Sequence, residues 1–182
     1  IFVLISFTLA SCKNPNQIDN QGNRHNLIIA TATPGGTYYP VGVAIGTLIT
    51  AKLQPNITAS AINSAGSGEN IQMLANEEAH LAILQGLFGA LAYGGKGSYA
   101  GKPFRDLRSI SILWQNVEHF LILKKFSTTD NILDLKGLNR KFSIGKRGSG
   151  TEISTRTIFN ALGIYPKIDL IPEYLGYNPS AQ

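Results

Sequence analysis

Apolar residues along this chain fall into short runs separated by polar, glycine-rich loops, and the spacing inside each run sorts strands from helices. Leu27-Ile28-Ile29-Ala30-Thr31 is a continuous apolar run between polar neighbours and predicts a buried strand. From Pro40 onward Val41, Ala44, Ile45, Leu48 and Ile49 recur at helical spacing, which predicts an apolar face on a helix ending around Lys52 to Pro55. Ile57 to Ile62 reads as a second strand, and Glu69 to Ala75 as a helix with Ser67 as its N-cap. Leu81 to Leu84 reads as a third buried strand. Gln85 then stands just past a carboxyl end, where open α/β sheets place their ligands.

Further along, Gly94 to Gly101 is turn-rich and predicts a surface loop. Ser109 to Trp114 and Phe120 to Lys124 have the apolar character of two more strands, with the polar Gln115-Asn116-Val117-Glu118-His119 between them as a turn or a crossover. Asp130 to Leu135 reads as a short helix stopped by Gly137, and Lys141 to Ile144 as a strand. Glu152 to Leu162 follows as a helix ended by Gly163, then a strand-like Ile168 to Ile171 and a Tyr-Asn-Pro-Ser turn. Strands alternating with helices predict an α/β fold with a largely parallel sheet.

Where strands pass into helices the chain uses small residues: Ala32 to Pro40 (ATPGGTYYP), Asn63 to Gly68 (NSAGSG) and Gly145 to Glu152 (GKRGSGTE). A helix N-terminus has unpaired N–H groups and a partial positive charge, so two such loops facing each other suit an anion. Thr37, Ser67, Ser149 and Thr151 add hydroxyl donors without adding negative charge, which fits a carboxylate. Tyr38 and Tyr39 fit either a lid over a ligand or a cover over the core, whereas Trp114 and Phe120 read as core. Lys146 and Arg147 would favour an acidic ligand if turned inward; a loop charge pair is more commonly solvated.

Composition bounds the rest. The 182 residues, 43% of them hydrophobic, suffice for one core or two small ones. The net charge of +5 comes from scattered charges, so a nucleic-acid partner is not expected. Ile1 to Ala10 is nearly all apolar but about half the length a membrane span requires. It has the length of a secretory h-region, although a basic n-region is missing ahead of it. Leu9-Ala10-Ser11-Cys12 resembles the lipobox of bacterial lipoproteins, which makes the single cysteine, Cys12, a lipidation site rather than an ordinary free thiol. The polar stretch from there to Asn26 reads as a flexible tether.

Catalytic patterns are thin. GKRGSGT has Thr151 where a P-loop needs its lysine, and Gly95 to Ala100 matches a relaxed dinucleotide pattern with no strand leading into it. No G-x-S-x-G, no H-E-x-x-H and no spacing of His25, His80 and His119 suggests a catalytic or metal site, so no cofactor and no enzymatic activity are expected. An enzyme on the same α/β scaffold, and a sensory surface lipoprotein, are the competing readings.

Three segments carry a family likeness. Thr33 to Gly46 (TPGGTYYPVGVAIG), Ser64 to Ala82 (SAGSGENIQMLANEEAHLA) and Leu135 to Gly163 (LKGLNRKFSIGKRGSGTEISTRTIFNALG) together resemble the TAXI family of solute receptors, which serve TRAP-type transporters. The resemblance implies a periplasmic binding protein of type II, with two lobes joined by a hinge, a small glutamate-like or dicarboxylate solute in the cleft and a membrane permease as partner. By position it implies that Gly35, Gly36, Thr37, Tyr38, Ser67, Gly68 and Gln85 line one wall, and Ser149, Gly150 and Thr151 the other. It divides the chain into a signal segment 1–11, a lipidated Cys12 with tether 12–26, a first lobe 27–123 and the start of a second lobe at 124–182. Family chains are longer, which implies that the second lobe is incomplete here. Lys146 and Arg147 replace the small or apolar residues common before GSGT, so the ligand preference does not transfer with the motif.

Overall fold

The computed structural model describes residues 24–182, which leaves the apolar leader, Cys12 and most of the predicted tether outside the described residues. The chain is a mixed α/β structure with two parallel sheets. The first sheet contains β1 (His25–Ala30), β2 (Ile57–Ile62) and β3 (Leu81–Ala82), in the order β2-β1-β3. β1 pairs with β2 along its whole length, from His25 opposite Ile57 to Ala30 opposite Ile62, and with β3 at Ile29–Leu81 and Ala30–Ala82. Helix α1 (Tyr38–Leu53) connects β1 to β2, and α2 (Ser67–Ala75) crosses from β2 back to β3. Because the chain moves from the central strand first to one side and then to the other, right-handed crossovers put α1 and α2 on opposite faces. The carboxyl ends of β1 and β3 then form the switch point at which such sheets bind ligands.

α1 meets the sheet through glycine rather than through the apolar face predicted for it. Gly42 and Gly46 are its buried residues, whereas Leu48 is 60% exposed and Ala44 is also exposed. A Cβ on Gly42 would collide with the Thr31 methyl, and one on Gly46 would lie 3.1 Å from the Ala59 carbonyl. Glycine lets the helix backbone sit directly on β1 and β2, and hydrophobic periodicity cannot register a residue without a side chain.

Beyond β3, α3 (Gly86–Gly94) forms from a run not assigned to any element by its sequence, and buries Phe88 and Ala92 beside Ile71 of α2. The predicted loop at Gly94 to Gly101 holds a 3-10 turn at Gly97–Tyr99. Residues 109–114 and 120–124 are not strands: neither joins a ladder, and 124 opens a 3-10 turn, Lys124–Phe126. Their composition favours extended backbone, but a strand also needs a hydrogen-bonded neighbour, and the described residues supply none. The side-chain alternation of a strand nevertheless survives at 120–123. Phe120 and Ile122 pack inward, while Leu121 and Leu123 face out at 86% and 63% exposure.

The second sheet pairs β4 (Lys141–Ser143) with β5 (Ile171–Glu173), parallel, connected by α4 (Gly150–Ala161) and the short α5 (Pro166–Asp169). Its core is Leu135, Ile144, Phe159, Ile164 and Leu170, joined by Phe120 and Ile122. The predicted helix at Asp130 to Leu135 is a 3-10 turn, Ile132–Leu135. The strand expected at Ile168 to Ile171 begins three residues later. Pro166 opens a helical turn, and Asp169 closes it by accepting from the Tyr165 and Gly137 N–H groups. The chain closes with α6 (Tyr177–Ser180), four residues where a turn was expected.

Candidate functional site

The loops at the carboxyl ends of β1, β2, β3 and β4 converge, and one buried side chain fixes three of them. Asn70 is fully buried on α2; its Nδ2 donates to the carbonyls of Thr31 at 2.6 Å and Ile83 at 2.7 Å, and its Oδ1 accepts from Ser64 Oγ at 2.6 Å. Ser64 in turn accepts from Gly66 N–H. The ends of β1 and β3 and the loop after β2 are thus tied to a single carboxamide.

The starts of α2 and α4 repeat one device. Gly66 caps α2 and Ser149 caps α4, and in each helix the glutamate three residues on, Glu69 or Glu152, reaches back to the N–H of the residue before the cap, Ala65 or Gly148. Ser149 Oγ also accepts from Glu152 N–H at 3.0 Å, a capping arrangement. Ser67 is therefore the first helical residue and not the N-cap; its Oγ accepts from the Gln85 N–H at 3.0 Å instead. Gly66 occupies φ 119°, a conformation that side chains resist, which explains why the cap position is glycine. A negative charge thus stands at the starts of two of the four longer helices, α2 and α4. α1 and α3 differ: neither has an acidic residue in its first turn or a side-chain cap.

The two glycine motifs lie in direct contact. The Glu69 N–H donates to the Gly148 carbonyl at 3.3 Å, and a Cβ on Gly68 would lie 2.5 Å from that oxygen. A Cβ on Gly150 would lie 2.8 Å from Gln85 Cδ and 2.9 Å from Ser67 Oγ. Glycine at Gly68 and Gly150 permits backbones to approach where any side chain would separate them.

From Gly150 the contacts run round a ring. Gln85 Nε2 donates to Glu118 Oε1 at 3.5 Å. Thr151 Oγ1 and Tyr177 Oη share a hydrogen bond at 3.1 Å, and the Tyr177 ring lies against Gly36. Gly35 meets the Asn178 side chain. Burial raises the Tyr38 hydroxyl above its ordinary value, against a hydrogen bond with Ser67; Tyr177 and Glu118 push the same way as burial. Thr37 is exposed at the start of α1 beside this ring. All ten residues singled out in the sequence, Gly35, Gly36, Thr37, Tyr38, Ser67, Gly68, Gln85, Ser149, Gly150 and Thr151, thus fall at one convergence of loops, half-buried or exposed at Thr37, Tyr38, Gln85 and Thr151.

Three participants were not singled out. Asn70 follows the GSGE motif directly and is, with Ser67, one of two polar residues on the buried side of α2, a signal open to reading. Glu118 belongs to a polar connection, where an acid between two apolar runs is itself a signal. Tyr177 carries no local signal. Lys146 and Arg147 are exposed, with the Arg147 guanidinium 3.5 Å from the centre of the Tyr174 ring. Trp114 is 40% exposed and meets Tyr38 edge to face with ring centres 5.7 Å apart, so it belongs to the site's wall and not to a core.

A broad groove of about 610 Å³ lies elsewhere, along α4 between Ile153, Arg156, Asn160 and Tyr165. None of the ten residues lines it, and convergence of backbone and side-chain donors at the strand ends is the stronger mark of a site. No helix among the described residues is long and apolar enough to cross a membrane.

Comparison with protein families agrees with this arrangement of strands and loops. A family model described as the NMT1-like family matches residues 29–182, and the chain belongs to that family. It is a periplasmic solute-binding family related to the type II periplasmic binding proteins, so the role of the chain is extracytoplasmic solute binding.

Proposed function

We propose that this member of the NMT1-like family is the receptor of a TRAP-type transporter, capturing a small carboxylate and passing it to a membrane permease. The observation that supports it most is the convergence of two glycine motifs on Gln85, beside a helix start that has no acid of its own. The ligand carboxylate takes the first turn of α1, with the hydroxyls of Thr37 and Thr151 beside it, because α2 and α4 already carry Glu69 and Glu152. Residues 27–123 form one lobe and 124–182 belong to a second, and closure between them buries the solute. Cys12 bears the lipid that holds the receptor at the membrane. The site binds and does not turn its solute over.

The test is a calorimetric screen of the full chain against amino acids, dicarboxylates and 2-oxo acids, with product analysis on every hit. Saturable binding of one carboxylate class without product supports the receptor. Turnover of the bound compound, or binding confined to uncharged solutes, refutes it.

A further inference from the structure

Tyr177 reaches the site from α6 and touches both of its walls. Its ring lies on Gly36, where a Cβ would stand 2.8 Å from Cε2 and 3.1 Å from Cδ2. Cε2 adjoins the carbon that bears the hydroxyl, so the hydroxyl half of the ring is the half nearer Gly36. The same hydroxyl shares a hydrogen bond with Thr151 Oγ1 at 3.1 Å, at the start of α4. Neighbouring contacts fix the segment that carries it: the Asn178 side chain meets Gly35, and Ser180 Oγ shares a hydrogen bond with Ser143 Oγ at 2.7 Å, at the end of β4. Tyr177 is nevertheless 54% exposed and Thr151 half-buried, so both residues stay open to a solute.

A hydrogen bond between two hydroxyls uses one O–H and leaves the other, whichever of the two donates. The pair therefore keeps a free donor between the walls, uncharged and already oriented by its neighbour. A hydroxyl that accepts one hydrogen bond is polarised toward donating another, and donation to an ionised acceptor gives a shorter and stronger bond than donation to a neutral one. We infer that Tyr177 is a solute-binding residue, its hydroxyl joining that of Thr151 as a paired donor to the solute carboxylate. This rests on the proposed carboxylate receptor and adds to it a residue that no loop motif marks. Glycine at Gly36 then has a purpose beyond turn geometry, since any side chain there would push the phenol away from Thr151.

The experiment is isothermal titration of the full chain with L-glutamate, succinate and 2-oxoglutarate, one compound from each class screened, on the native protein, Tyr177→Phe, Thr151→Val and the double variant. Tyr177→Phe keeps the ring on Gly36 and removes only the hydroxyl; it is expected to weaken the best-bound of the three by about tenfold. In the Thr151→Val background the same change is expected to weaken binding again, by severalfold, because the phenol meets the solute itself. Circular dichroism and a urea midpoint establish that each variant is folded. Unchanged affinity in Tyr177→Phe overturns the inference and leaves the carboxylate receptor standing. A loss that disappears in the Thr151→Val background also overturns it, since Tyr177 would then act only by holding Thr151 in place. Failure of all three compounds to bind the native chain overturns the carboxylate receptor, and the role of Tyr177 with it.

Discussion

Asn70 concentrates more of the site's order than any other side chain, because its amide joins segments far apart in sequence at a point closed to water. Removing it leaves the Ile83 carbonyl without its side-chain donor, and the Thr31 carbonyl and the Ser64 hydroxyl with only their bond to each other at 3.1 Å. A buried polar group so orphaned costs about 1–3 kcal/mol, so Asn70→Ala should lower unfolding free energy by about that much in urea titration. Asn70→Asp retains the acceptor and loses both donors, and should be at least as damaging. A second residue acts through its charge. Asp134 accepts from the N–H and hydroxyl groups of both Thr128 and Thr129, with distances of 2.7–2.9 Å, and from Ser127 Oγ at 3.2 Å. Hydrogen bonds from Thr129 first, then Thr128, hold its carboxyl well below the usual carboxylate range. A depressed folded-state value means that the stabilisation is complete above the unfolded value and fades as pH falls below about 4. Urea midpoints measured against pH should therefore drop less steeply in acid for Asp134→Asn than for the native chain.

At the scale of elements, α1 shows what a pattern of apolar residues can and cannot reveal. Its length, its position between β1 and β2 and its glycine-rich start were legible in the sequence; its buried face was not, because that face is built on Gly42 and Gly46. The difference is measurable. Gly42→Ala gains about 1 kcal/mol of helix propensity but drives a methyl into Thr31, which is fully buried and held by its hydroxyl to the Ile62 carbonyl at 2.6 Å. Overpacking of about 1–3 kcal/mol should prevail, with a net loss of stability, whereas Leu48→Ala, on the face first read as core, should change it by less than about 0.5 kcal/mol. The site loops were legible for a related reason: strand, small residues, helix is a local pattern, and it marked the β1, β2 and β4 loops together with Gln85. Glu118 and Tyr177 join by tertiary approach from distant segments, which no local pattern encodes. The segments 109–114 and 120–124 mark the other limit, since their apolar composition predicts extension but a ladder depends on a partner strand.

At the scale of the whole molecule, two parallel sheets, each with its own apolar core, meet through backbone contacts between glycines and through Ile153, which reaches from α4 into the core beside α2. The same stretch that brings Glu118 to the ring leaves Ile110, Ile112 and Leu121 exposed at 81%, 88% and 86%. Apolar surface of this kind associates in water. The 182-residue chain by itself should bind a hydrophobic dye and show a concentration-dependent mass in light scattering, and the triple substitution of these residues by threonine should reduce both; a dye-silent monomer at all concentrations would contradict this.

Trp114 is the single tryptophan of the chain, and it touches Tyr38 within the ring that includes Glu118 and Gln85. Its indole is therefore a built-in optical probe whose emission comes from one place alone. Any solute that enters beside Tyr38 alters the polarity around that indole, and the colour and intensity of its fluorescence will record occupancy in real time, without a label or a second indole to subtract.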